Sequence, residues 1–225
     1  MRRILSVILC ISLLSFPCAR AQQPKYVALT FDDGPSGRFT RRLLVGLEQR
    51  QVQATFLLCG YRMEIYPELT QKIFDAGHEI GLHGYSHKDM ATLSKKELLR
   101  EIQDTRALLP DGCEAVFLRP PGGSGTTLLE KVALQEDLAL LLWSVDPRDW
   151  AVHDASAVEA AVVSQVQDGD VILLHDLSDS SVDAALAIID RLQEDGFQFV
   201  TVSQLAHLRG IIRKSGETYT HFPQQ

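Results

Sequence analysis

Tyr26-Val27-Ala28-Leu29-Thr30-Phe31-Asp32-Asp33-Gly34-Pro35 is an apolar run that stops on two carboxylates and a turn. Continuous apolar runs of this length suit strands covered on both faces. The same shape recurs at residues 55–59, 79–82, 115–118, 138–145, 171–174 and 197–202. Between these runs, residues 41–51, 67–76, 94–109, 126–136, 157–166 and 182–194 carry apolar side chains at helical spacing. Ser94 and Glu97 form a capping box for the third of these helices. Alternating strands and helices imply parallel strands joined by crossover helices, either as a closed barrel or as an open doubly wound sheet. The polar residues decide between them. Asp32-Asp33, His83, Arg119, Asp146 and His175 all fall just past the ends of separate strand runs. In a barrel those ends share one rim, whereas an open sheet gathers only two or three at a switch point. No Gly-x-Gly-x-x-Gly opens the first helix, which also counts against a nucleotide fold. The expected fold is α/β, a single-domain barrel of about seven parallel strands.

The chain has 225 residues and a net charge of −7. It opens with Arg2-Arg3, a mostly apolar run over residues 4–16, and Ala19-Arg20-Ala21. That is the form of a secretory signal peptide, with cleavage expected after Ala21 and a secreted or cell-envelope location. The run is shorter than the roughly 20 residues of a membrane span, so no stable span is expected. Residues 1–21 are thus read as the signal, 22–210 as one folded domain, and 211–225 as a C-terminal tail without assignment. Cleavage removes Arg2, Arg3 and Arg20 and no acid, which leaves a more acidic chain. An acidic surface without a Lys/Arg cluster repels phosphate backbones, so no nucleic-acid partner is expected. Cys59 and Cys113 are too few for a disulfide scaffold and flank apolar runs, so both are expected as buried free thiols. A monomer is expected.

Neighbours on a strand point to opposite faces, so Asp32 and Asp33 should have separate tasks. One can hold a metal while the other takes a proton from water. His83 and His87 are four apart, and a helical turn would place both rings on one side. Imidazoles suit divalent zinc or cobalt. His78-Glu79 is not followed by a histidine four after His78, which rules out the zinc-protease motif. Two histidines and a carboxylate leave open positions on a metal, as in metal-assisted hydrolysis or a ferrous oxygenase. Acid-base equipment separates the two. His175 can protonate a leaving amine, Arg119 can pair with and orient Asp32, and Asp149 can raise the pKa of His175. Trp150 can wall the cleft.

Together with Asp146-Pro147-Arg148-Asp149-Trp150 and Val171-Ile172-Leu173-Leu174-His175, three stretches carry a family pattern. They are Thr30-Phe31-Asp32-Asp33-Gly34-Pro35, His83-Gly84-Tyr85-Ser86-His87 and Arg119-Pro120-Pro121-Gly122-Gly123. In this order they resemble the polysaccharide deacetylase family with the NodB homology domain (carbohydrate esterase family 4), from about residue 26 to about residue 210. The resemblance implies an irregular (β/α) barrel that removes N- or O-acetyl groups from an amino-sugar polymer such as peptidoglycan or chitin-type oligomers. It implies Asp32 as general base and Asp33, His83 and His87 as ligands of a divalent metal, zinc first and cobalt second. Arg119 would orient Asp32, and the Gly122 amide would help hold the oxyanion. Asp149 would tune His175 as general acid, and Leu173 and Trp150 would line the acetyl pocket. The family usually has Asn before the first histidine and Ser or Thr after it, where this chain has Leu82 and Gly84. It often has an aromatic where this chain has Gly122. A hydrolase of another acylated substrate and a catalytically silent carbohydrate-binding barrel are the alternatives.

Overall fold

A computed structural model describes residues 24–224; the expected signal peptide lies outside the described residues. Along the chain come β1 (Lys25–Asp32), α1 (Arg38–Gln49), β2 (Thr55–Leu58), α2 (Gly60–Ile65), α3 (Pro67–Asp75) and β3 (Glu79–Leu82). They are followed by α4 (Lys95–Arg106), β4 (Phe117–Leu118), α5 (Thr127–Gln135), β5 (Ala139–Leu141) and α6 (Ala155–Val163). The last elements are β6 (Val171–His175), α7 (Asp179–Glu194), β7 (Phe197–Phe199), α8 (Val202–Leu208) and β8 (Thr218–Tyr219). The strands pair in parallel in the order β6-β1-β2-β3-β4-β5-β8, with β7 beside the start of β1. Beyond β5, Val145 bridges Ile172 of β6, and the Leu173 amide donates to the Val145 carbonyl at 2.9 Å. That seam brings the curled sheet round on itself. The fold is the irregular (β/α) barrel.

Strand alternation sets what points where. Val27, Leu29 and Phe31 of β1, Phe56 and Leu58 of β2, and Ile172 and Leu174 of β6 belong to one buried cluster with α1 and α7. Ala28, Leu57, Phe117, Ala139, Leu141 and Val171 form a second cluster with Val202, Leu205 and Ala206 of α8 and with Phe222. Thr30 and Asp32 share the parity of Ala28, and Leu173 and His175 share that of Val171. Both rows therefore run from the apolar second cluster up to polar groups at the strand ends. Register completes the arrangement: Asp32 is the lateral partner of His175, and Thr30 that of Leu173.

Several boundaries differ from the sequence expectation for local reasons. The run 138–145 is two pieces, because Leu142 bonds Tyr219 on one side whereas Ser144 and Val145 bond Val171 on the other. The run 197–202 stops early, since Thr201 and Gln204 form a capping box that starts α8 at Val202. The capping box of Ser94 and Glu97 is present at the head of α4. Cys59 is buried, but Cys113 is only half-buried, and both are free thiols. Cys113 packs against the edge of the first cluster from the turn between α4 and β4, which leaves it partly exposed. No helix among the described residues is long and apolar enough to cross a membrane.

The segment after residue 210 joins the core. Thr218 and Tyr219 pair with β5, Tyr219 stacks on Phe222 at 5.5 Å between centroids, and the Phe222 amide donates to the Gly169 carbonyl at 2.8 Å. Phe222 is fully buried. Phe222→Ala is expected to cost about 3–5 kcal/mol of stability, read as a lowered urea midpoint. An unchanged midpoint would mean that this segment is not part of the folded unit.

Candidate active site

Arg119 follows β4 and lies wholly inside the barrel, 0% exposed. A buried guanidinium is tolerable only when its donors are met. Its Nη1 donates to Asp32 Oδ1 at 2.6 Å and to Thr30 Oγ1 at 2.8 Å. Its Nε and Nη2 donate to the carbonyls of Leu141 and Leu142 at 3.1 and 2.8 Å. Burial lowers the Arg119 pKa, and Asp32 works against that shift. Thus one oxygen of Asp32 is pinned. The other, Oδ2, lies 3.8 Å from His83 Nε2 and faces the histidines.

Asp33 is the first residue beyond β1 and has φ 70°, a left-handed conformation that aspartate enters more readily than most residues. This bend, rather than strand alternation, separates it from Asp32 and aims it at the loop after β3. The two histidines also converge differently from the expected helical turn. His83 directly follows β3, and the chain then bends at Gly84, φ 75°, and again at His87, φ 58°. A loop therefore brings the rings to 5.2 Å between centroids. His83 Nδ1 meets the Arg119 carbonyl at 2.7 Å. Nδ1 must donate there, which leaves the Nε2 lone pair free.

His83 Nε2 and His87 Nε2 lie 3.3 and 2.9 Å from Asp33 Oδ1. Despite those distances, Asp33 Oδ1 is buried and lacks an aligned hydrogen bond. The three atoms form a compact cluster. They come from two imidazoles and a carboxylate, a donor set that suits zinc or cobalt, and all lie within 4.8 Å of one another. Burial raises the Asp33 pKa, but the two imidazoles outweigh it and hold the carboxyl well below the usual carboxylate range. Asp33 in turn raises His87 above its ordinary value, against the effect of burial.

His175 ends β6. Its Nδ1 lies 2.8 Å from Asp149 Oδ1, and its backbone amide donates to Asp149 Oδ2 at 2.9 Å. Both oxygens of the buried Asp149 are thus spent on one residue. Burial lowers the His175 pKa, but the bond and charge of Asp149, with Asp32 and Asp33 nearby, lift it to about 8. Leu173 is buried two residues earlier on the same face. Trp150 is 55% exposed, with the Arg148 guanidinium 5.2 Å from its ring. Asp146 stands apart and caps a turn by accepting from the Arg148 amide at 2.8 Å. Gly122 has φ 68°, and a Cβ there would meet nothing within 4 Å, so the space beside it is open. A groove of about 860 Å³ lined by Leu44, Val45, Leu69 and Phe199 contains none of these groups.

Sequence reasoning missed Thr30, Trp143 and Glu101. Thr30 is two residues from Asp32 on the same face, which was a readable signal. Trp143, whose ring lies 5.6 Å from the Arg119 guanidinium, was hidden inside a run taken as strand. Glu101 interrupts the buried stripe Leu98, Ile102 and Thr105 of α4, and a carboxylate in such a stripe is itself a signal.

The polysaccharide deacetylase family model matches residues 19–140. The chain is 36% identical over 200 residues to the peptidoglycan-N-acetylmuramic acid deacetylase PdaC of Bacillus subtilis, covering 87% of this chain and 42% of that protein. It is 37% identical over 187 residues to a peptidoglycan-N-acetylglucosamine deacetylase of Bacillus cereus, covering 80% of this chain and 88% of the relative. Among solved structures, a family 4 acetyl xylan esterase from Clostridium thermocellum in complex with a cobalt ion superposes with a TM-score of 0.83 at 33% identity, over 88% of this chain and 100% of that one. Fold, motif order and similarity along most of the chain agree, and the protein belongs to the polysaccharide deacetylase family, carbohydrate esterase family 4.

Proposed function

We propose that this protein is an exported, metal-dependent deacetylase that hydrolyses the N-acetyl groups of an amino-sugar polymer of the peptidoglycan type and releases acetate. The observation that carries the reading is the clustering of Asp33 Oδ1, His83 Nε2 and His87 Nε2 within 4.8 Å of one another, beside two polar pairs with different tasks. The named relatives support the substrate class: two are peptidoglycan deacetylases. The Clostridium relative is an esterase, which favours O-acetyl groups as a second reading. The expected domain limits, residues 22–210, enclose every residue of the proposed site.

Asp33, His83 and His87 would hold the cation, zinc or cobalt. When bound, it supplies Lewis-acid polarisation of the acyl carbonyl and a more acidic water. Asp32 is placed to take a proton from the attacking water on Oδ2, since Arg119 occupies Oδ1 and fixes the carboxylate plane. The Gly122 amide donates to the developing oxyanion, a contact typically worth about 3 kcal/mol. His175 then donates its Nε2 proton to the departing sugar nitrogen, while Asp149 keeps Nδ1 engaged and the ring oriented. Leu173 and Trp150 bound the acetyl methyl, and the open space at Gly122 leaves a wide entrance for polymer.

Asp32→Asn preserves an acceptor for Arg119 but cannot take a proton. It is expected to lower kcat by about 10²–10⁴-fold with the cation still bound, measured by acetate release and metal analysis; near-normal kcat would remove Asp32 as base. His175 works as an acid only while protonated, below its pKa of about 8. Activity should therefore fall as pH rises through that region, or somewhat lower once a cation offsets the Asp32 and Asp33 charges. Asp149→Asn should move this alkaline limb to lower pH, and an unmoved limb would separate Asp149 from the acid. Chelation should abolish acetate release from acetylated peptidoglycan and chitin oligomers, and zinc or cobalt should restore it. Glycan binding without release from any acetylated glycan would instead favour a silent binding barrel.

A further inference from the structure

We infer that Glu101 is a positioning residue for the cation-binding loop, holding residues 83–87 in the shape that aims both imidazoles at Asp33. The inference rests on the metal reading above. Glu101 lies on the inner side of α4 and is 9% exposed. Its Oε2 accepts from the amides of Tyr85 and Ser86, each at 2.7 Å, and its Oε1 accepts from Ser86 Oγ at 2.5 Å. Among the described residues, the hydrogen-bond partners of this carboxylate all lie on the loop. Bonds of this kind, with an ionised acceptor, are short and strong.

The loop is gripped from its other side too. The amides of Gly60 and Tyr61, at the start of α2, each donate at 3.0 Å to the carbonyls of Gly84 and Tyr85. The His83 amide donates to the Leu58 carbonyl at 2.9 Å. The donors and acceptors between the two ligands are therefore divided between α2 and Glu101. Without the carboxylate, the two consecutive amides would lose their partner, and only one side of the grip would remain.

Gly84 belongs to the same device. A side chain there would come within 2.8 Å of Met90 Cε and 3.2 Å of Glu101 Oε2, at φ 75°. Glycine lets the backbone pass close to the carboxylate.

The test is zinc and Co²⁺ titration of the full chain by calorimetry, together with the Co²⁺ visible absorption band. Glu101→Gln is expected to weaken binding by about 10- to 100-fold, to change the Co²⁺ band, and to speed amide hydrogen exchange at Tyr85 and Ser86 in the metal-free protein. Ser86→Ala keeps the carboxylate and removes one of its bonds; it should show a smaller loss and carries the test if Glu101→Gln does not fold. Glu64→Gln alters only the exposed carboxylate that accepts from the Tyr85 hydroxyl and should leave affinity and band unchanged. Unaltered affinity and band in the Glu101 and Ser86 variants would overturn the inference while leaving the metal reading intact. An unaltered chain that binds neither cation would overturn both.

Discussion

A guanidinium inside a barrel has to be answered on every side, and Arg119 ties its own strand to two others. Asp32 and Thr30 belong to β1, the Leu141 carbonyl ends β5, and Arg119 itself continues β4. Removing one member of a buried charge pair commonly costs about 3–5 kcal/mol, so the pair fixes the rim as firmly as it fixes Asp32. The carbonyl of Arg119 also sets the His83 tautomer. One residue thereby couples Asp32, the proposed base, to His83, a proposed cation ligand, and a shift of either is passed to the other.

Around that anchor the chemistry depends on backbone bends. Asp33, His87 and Arg148 are non-glycine residues with positive φ, and each stands in or next to a site motif. Such conformations are held against their own preference by surrounding contacts. Around Asp33 and His87 the contacts are the barrel edge, the α2 amides and Glu101; at Arg148 it is Asp146, which accepts from its amide. The strands end in regular register, and the irregular turns then aim each side chain.

Much of this was readable in the residues. Apolar runs ending on Asp32, His83, Arg119 and His175 placed the polar groups on one rim; the same alternation that separated Asp32 from Asp33 would also have put Thr30 on the face of Asp32, a signal that went unread. The route by which His83 and His87 meet was not readable, because spacing of four fits a helical turn as well as a loop with two left-handed bends. The split at Leu142 was invisible for a related reason: an apolar residue does not say which strand it faces. Burial of Phe222 depends on contact with Gly169, and the role of Glu101 on contact with a distant loop. Both are tertiary facts that local pattern cannot carry.

The pairing of β1 has a consequence for how the molecule is made. Thr30 bonds Ile172, which lies 142 residues further along the chain, and the start of β1 finds its neighbour only in β7. Such distant partners slow folding, because loop entropy is lost before contacts repay it. A polypeptide emerging amino end first therefore carries an open, greasy edge until most of its length has appeared. During that interval the exposed strand is open to mispairing and aggregation.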